Sequence, residues 1–420
     1  MPDLTPPRLQ NDCFALPPGV DWTPVDDALS RLRKRLSCIV GQERIAFGDA
    51  LGRVLAAEAV AVRSNPPAPN AAVDGYGVAH ASTGECDQTL PLIDGRAAAG
   101  APFEGSVPAG HAIRILTGAV LPRDVDTVIL EEDTSTDGAR IAFAGPIKAG
   151  ANTRKAGEDV EAGAVAIASH TRLGAPELAL LAATGVTHVS VFKPLRVGIL
   201  STGSELAGPE ETTDPARTYD ANRPMLISLM RDWAMEPVDL GRVPDNRLEL
   251  RDTLDRAAKN CDAILTSGGA SAGDEDHVSA LLGETGSRAD WRIALKPGRP
   301  LALGVWKGVP VFGLPGNPVA ALVCTLIFAR PAFGVLGGEG WKEPQAFMVP
   351  AGFEKRKKPG RREYLRARID ESGRAEVFKS EGSGRISGLA WADGLVELPD
   401  GAMDVAPGTP VRYIPYASFR

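Results

Sequence analysis

Cysteine, histidine and long apolar runs are all scarce in this 420-residue chain. The five cysteines, Cys13, Cys38, Cys86, Cys261 and Cys324, form no C-x-x-C pair. That excludes a disulfide framework and makes reduced thiols the expectation. The five histidines, His80, His111, His170, His188 and His277, stand at no metal-ligand spacing, so neither a zinc site nor a Cys/His nucleophile has residues to build on. Positive charge is also short. The net charge is −7, which excludes broad nucleic-acid binding and makes any anion site local. The longest apolar stretch, Val319 to Ala329, is too short to span a bilayer, and Arg330-Pro331 is expected to end it, so no membrane partner is expected. The first residues carry acids and prolines without a basic-then-apolar leader pattern, and a cytoplasmic location is expected.

What is present is alternation. From Leu195 to about Ala332, strand-like runs (Leu195–Leu200, Pro237–Val243, Ala263–Leu265, Arg292–Leu295, Leu301–Val305, Val309–Gly313) alternate with helical ones (Asn222–Met235, Arg247–Lys259, Asp276–Leu282, Val319–Ala329). This pattern predicts a doubly wound, mostly parallel sheet covered on both faces. Short apolar runs between glycines and prolines predict a small β domain over 63–157. Residues 24–62 and 158–193 read as a discontinuous linking domain of helix and strand, with Ala28, Leu29, Leu32 and Leu36 on one helical stripe. The α/β unit covers 194–335, and 340–420 reads as a C-terminal β-barrel-like domain. The fold class is α/β plus β, multidomain.

Three polar loops follow three of these strands, where open α/β sheets bind ligands. Thr266-Ser-Gly-Gly-Ala-Ser-Ala-Gly-Asp-Glu-Asp276 offers glycines that turn backbone N–H groups toward an anion, hydroxyls on Thr266, Ser267 and Ser271, and carboxylates suited to a hard cation. Pro315-Gly316-Asn317-Pro318 opens an apolar helix with Asn317 at the N-cap and Pro318 at the first turn. Ser201-Thr-Gly-Ser-Glu205 is the third. One anion seat and one cation seat side by side suit phosphoanhydride or oxyanion chemistry.

Several segments then occur in one order: Asn70-Ala-Ala-Val-Asp-Gly-Tyr76, Leu116-Thr-Gly-Ala119, Arg154-Lys-Ala-Gly-Glu-Asp159, Ser201-Thr-Gly-Ser-Glu-Leu206, Thr266-Ser-Gly-Gly269 with Asp276, Lys296-Pro-Gly-Arg-Pro300 and Leu314-Pro-Gly-Asn-Pro318. Together they resemble the MoeA family of molybdopterin molybdenumtransferases, related to the E domain of gephyrin, over about Val25 to Pro415. The resemblance implies that the α/β domain binds molybdopterin. It implies that molybdate and adenylylated molybdopterin are the substrates, that AMP is released, that Mg²⁺ is the cofactor and that the subunits form a homodimer. It also implies contact with a molybdopterin adenylyltransferase and with molybdoenzyme maturation factors. Two other activities remain open: adenylylation of molybdopterin, and a non-catalytic dimeric scaffold.

By the same resemblance Asp74, Thr117, Glu205, Asp245 and Asp276 are the catalytic candidates, with Glu205 and Asp276 as metal ligands. Ser267, Gly268, Gly269, Ser271, Arg292, Lys296, Arg299 and Pro315 to Pro318 are binding residues. Arg366 and Ser383 are expected to face the cleft from the partner subunit.

Overall fold

The structure is a computed structural model that describes residues 22–211, 213–269, 277–284, 289–298 and 300–420. By its contacts the chain divides into two units, one of residues 42–191 and one holding residues up to 41 together with 192–420.

In the 42–191 unit, a six-stranded sheet runs in the order Thr127–Leu130, Gly75–Val78, Ala112–Ile115, Gln88–Ala97, Arg140–Phe143, Thr134–Thr136. Tyr76, Val78, Ile129, Ile141 and Phe143 fill one of its faces. A second core joins Leu55, Leu173 and Val189 with Leu181 of the helix Ala175–Ala183. Gly75, in the Asp-Gly-Tyr segment, lies in a fully buried strand where a Cβ would come within 1.9 Å of the Ile129 carbonyl oxygen. No side chain fits there, so the glycine sets how closely the two strands approach.

The other unit begins with helix α1, Val25–Arg35. Its Val25, Ala28 and Leu32 join the main core beside Leu195, Phe333 and Leu336. The helix expected in the linking domain is thus part of this second unit. The spacing of apolar residues identifies a helix and its buried stripe, but not which core the stripe enters.

The central sheet contains β1 (Arg196–Thr202), β2 (Glu236–Val243), β3 (Ala263–Ser267), β4 (Ala289–Arg292), β6 (Pro300–Trp306) and β7 (Val309–Leu314), in the spatial order 2-1-3-7-6-4. Strands 2, 1, 3 and 7 are parallel, while β6 and β4 add an antiparallel edge. Helices α2 (Asn222–Asp232) and α5 (Pro318–Leu336) bury Leu226, Met230, Phe328 and Phe333 on one face. Helices α3 (Arg247–Asn260) and α4 (His277–Glu284) bury Leu250, Leu254, Val278 and Leu281 on the other. The sheet is therefore mixed, and covered on both faces.

Two expectations are corrected here. The run read as one strand, Arg292–Leu295, is divided: β4 ends at Arg292, and Leu295–Lys296 forms β5, which pairs with Arg362 and Glu363 of the C-terminal sheet. The apolar helix does not stop at Arg330-Pro331 but continues to Leu336 through a π segment, Thr325–Ala329. Proline lacks an N–H to give, and the wider π turn removes the conflict with the preceding carbonyls. The 19-residue helix is long and apolar enough to cross a bilayer, but its apolar window is 94% buried inside the protein, as a core helix is.

The C-terminal sheet runs β5, β8 (Arg362–Ile369), β9 (Gly394–Leu398), β10 (Pro410–Pro415) and then Phe347–Pro350. A sixth strand, Ala375–Val377, pairs with β8, and Ala351, directly after Phe347–Pro350, bridges to Ala375, so the path curls back on itself in a barrel-like way. At its start Arg362 grips Asp26 of α1 with two parallel bonds, 2.7 and 2.8 Å. That bond, more than the opposing effect of burial, holds the Asp26 carboxyl below its ordinary value. A depressed folded value stabilises the protein above the unfolded one, and the benefit is lost as pH falls through the folded one. The stability difference between wild type and Asp26→Asn should therefore be constant above about pH 5 and shrink below about pH 4. Urea unfolding at several pH values reads this, and a difference that stays level down to pH 3 would rule it out. Asp26 is largely exposed, so the effect is small.

Candidate functional site

Strands β1, β3 and β7 are parallel neighbours, so their C-terminal loops emerge at one edge. Those loops, 203–205, 268–269 and 315–318, line a single cleft of about 1230 Å³. Lys296, Asp245 and the segment Glu381–Gly384 complete its walls.

The first turn of α2 ties two loops together. Asn222 Nδ2 donates to Ser267 Oγ at 2.6 Å and to the Gly316 carbonyl at 2.7 Å. Among the described residues its Oδ1 is buried without a partner, as is Thr202 Oγ1, and both residues line the cleft. Buried polar atoms are almost always paired, so these two are acceptor and hydroxyl groups available to a ligand.

The glycine pair is required by geometry. Gly268 and Gly269 have φ of +93° and +63°, and a Cβ on Gly268 would lie 2.5 Å from the Thr202 carbonyl oxygen. The Gly268 N–H is not offered to a ligand, because it donates to the Leu314 carbonyl at 3.1 Å. Thr266 is also corrected: it is fully buried within β3 rather than offering a hydroxyl to the cleft.

Asp245 and Ser204 clasp one another, with Asp245 Oδ2 accepting from the Ser204 N–H at 2.8 Å and Ser204 Oγ accepting from the Asp245 N–H at 2.9 Å. Asp245 is thus a loop brace as well as a cleft acid, while Glu205 is exposed at the wall. Pro315, Gly316, Asn317 and Pro318 all line the cleft. Asn317 takes the N-cap position, but its side chain makes no capping bond.

Lys296 reaches the cleft from β5. Its Nζ lies 2.7 Å from Glu381 and 3.4 Å from Glu363, and Lys355 bridges the same two carboxylates. Burial pushes the Glu381 carboxyl up, but its bonds to Lys296 and Lys355 outweigh this and hold it below the usual range. It is therefore ionised at neutral pH.

Ser383 lines the cleft of its own chain. Arg366 does not line this cleft. It is 4% exposed and spends its guanidinium on the carbonyls of Ser380, Gly382 and Arg385, shaping the loop that carries Ser383. On an alternating strand an arginine cannot be told from a solvated one without knowing which loop folds over it.

In the 42–191 unit, Asp74 is exposed, and its Oδ1 accepts from both the N–H and the hydroxyl of Thr117, each at 2.6 Å. The Thr117 hydroxyl bond, then its N–H, holds the Asp74 carboxyl below its usual range. Thr117 thus acts on Asp74 rather than as a separate group. Ser271, Asp276 and Arg299 lie outside the described residues, as does the side chain of Arg292 on β4.

Sequence reasoning missed Asn222, Asp220 and Glu381. Asp220, on the cleft wall, is bound by Arg223, which also clamps Asp239 at 2.7 Å. The signal for the first two was Tyr219-Asp-Ala-Asn222, polar residues at the start of a helix beside a strand-end loop. Glu381 is a lone acid in a glycine loop and gives no such signal.

Comparison with known proteins places these features. Residues 23–185 match the MoeA N-terminal region (domain I and II), residues 198–334 a probable molybdopterin binding domain, and residues 349–416 the MoeA C-terminal region (domain IV). A protein of Haemophilus influenzae named molybdopterin molybdenumtransferase is 33% identical over 399 residues, covering 93% of this chain and 98% of the relative. One of the same name from a Nostoc species is 33% identical over 88% of this chain and 87% of its own length. The crystal structure of the molybdopterin biosynthesis moeA protein from Pyrococcus horikoshii superposes with a TM-score of 0.82 at 28% identity, covering 94% of this chain and all of that one.

Proposed function

Because the chain belongs to the MoeA family, we propose that it is a molybdopterin molybdenumtransferase that inserts molybdenum from molybdate into adenylylated molybdopterin, releasing AMP and forming molybdenum cofactor. The observation that carries this reading is the convergence of three strand-end loops on one cleft that holds Lys296 and the unpartnered Thr202 and Asn222 atoms. Such a cleft suits a polyanion bearing hydroxyl and amide groups. The relatives bear the name of this activity.

Each cleft residue has a task that follows from its place. Asn222 holds the Ser267 and Gly316 loops at a fixed spacing. The open backbone of Gly269 and Gly316 allows phosphate to approach closely. Lys296 supplies positive charge as the anhydride breaks and negative charge grows on both fragments. Asp74, in the other unit, has its role from the family resemblance rather than from a place in this cleft, and its second carboxylate oxygen could position water or accept a proton.

Carboxylates facing a phosphorylated ligand repel it unless a cation intervenes, and Glu205 supplies the hard oxygen that Mg²⁺ prefers. Among the described residues no three His, Cys, Asp or Glu side chains gather to hold a metal. Mg²⁺ commonly binds through one or two carboxylates plus substrate phosphates. Glu205 and, by the family resemblance, Asp276 would hold the ion, which when bound would neutralise phosphate charge. The family resemblance also supports a cytoplasmic homodimer that contacts a molybdopterin adenylyltransferase. Sedimentation of the protein, alone and mixed, tests both assemblies.

The deciding experiment incubates purified protein with adenylylated molybdopterin and follows AMP. Release that depends on molybdate supports the reading; no release, or release indifferent to molybdate, overturns it. Lys296→Gln is expected to raise the molybdate or substrate requirement about tenfold, with a smaller change in the rate at saturation. An unchanged requirement would remove Lys296 from the anion seat.

A further inference from the structure

The Lys296 ammonium is not free to wait for substrate. It is held by Glu381 at 2.7 Å, and both side chains line the cleft. The same pair, with Pro297, also lines a smaller cavity of about 210 Å³ on its other side, whose walls include Lys355 and Lys379. The pair therefore stands as a partition between the two spaces.

Resting on the functional reading above, we propose that Glu381 is a specificity-determining residue: its carboxylate is a built-in competitor for Lys296, and only an anion carrying more than one charge displaces it efficiently. Three features make the exchange possible. The loop backbone is anchored, since Arg366 binds the Ser380, Gly382 and Arg385 carbonyls and the Val319 N–H donates to the Ser383 carbonyl at 3.2 Å. The exchange then needs only a rotation of the Glu381 side chain, which is 47% exposed. Lys355, which bridges Glu363 and Glu381, stays with Glu381 when Lys296 leaves, so displacement breaks one ion pair of two. A monoanion gains no more at Lys296 than the Glu381 carboxylate it would replace. A dianion doubles the Coulomb gain at Lys296 against the same competitor.

The test is the binding of molybdate, a dianion, and of nitrate, a monoanion, to the full chain by calorimetry, in wild type, Glu381→Gln, Lys296→Gln and the double variant. Glu381→Gln should bind molybdate about fivefold more tightly and gain proportionally more for nitrate, narrowing the preference. In the Lys296→Gln background the gain should vanish, because the competition is for that ammonium. Unchanged or weaker molybdate binding in Glu381→Gln would overturn the proposal and leave Glu381 as a loop brace. A gain that persists without Lys296 would also overturn it. AMP release by wild type separates the two claims. If wild type turns over and Glu381→Gln alters neither affinity nor preference, this proposal alone falls. If wild type shows no molybdate-dependent release while Glu381→Gln tightens binding through Lys296, the competition stands and the reaction assignment falls.

Discussion

Asp74→Asn should lower molybdate-dependent AMP release at least about a hundredfold, the usual scale for losing a general base or a charge in contact with the reacting groups, with little change in stability. The substitution is informative because the amide can keep the local scaffold. Asp74 Oδ1 accepts both Thr117 bonds, and an asparagine oxygen can accept the same two, so the charge and the second oxygen are what is lost. Gly75 and the strand behind it are untouched. Thr117→Val tests the link further. Without its hydroxyl the largest influence lowering the Asp74 carboxyl is removed, so any acidic limb of the activity profile that reports Asp74 should move to higher pH. Full activity in Asp74→Asn would take this carboxylate out of the reaction.

Much of the site could be read from sequence because its chemistry sits where a parallel sheet must present it. Gly268-Gly269 and Pro315 to Pro318 follow apolar runs that could only be buried strands, and their cleft position is a consequence of topology. Lys296 was legible as a cation, but not as an edge strand of the C-terminal sheet, because two residues carry no periodicity. The partners of Arg366 were hidden for a related reason: they are the carbonyls of a loop fourteen to nineteen residues away, and carbonyls have no signature in a sequence. Glu381 likewise takes its meaning from Lys296, 85 positions earlier in the chain. What sequence conveys least is competition, in which an acid beside a cation holds the place a ligand would take.

Gly268→Ala should be the most damaging single-methyl change in the cleft, and Gly308→Ala shows how much of the damage is collision. Both glycines have φ near +90°, but a Cβ on Gly308 meets nothing within 4 Å, whereas one on Gly268 lies 2.5 Å from the Thr202 backbone oxygen. Gly308 therefore reads the backbone cost alone, about 1–2 kcal/mol for an alanine held in a left-handed conformation. Gly268 adds a contact that can be relieved only by moving the strand end of β1 or the loop itself, for a total of about 3–4 kcal/mol. That movement would also disturb the Gly268 bond to Leu314 and the neighbouring Ser267, on which Asn222 rests, so anion binding should fall along with stability. In a chain of several domains the comparison is best made from urea midpoints of the two variants side by side. Equal losses in the two variants would mean that β1 yields without cost, and that the glycine at 268 serves chain conformation rather than the close approach of two strand-end loops.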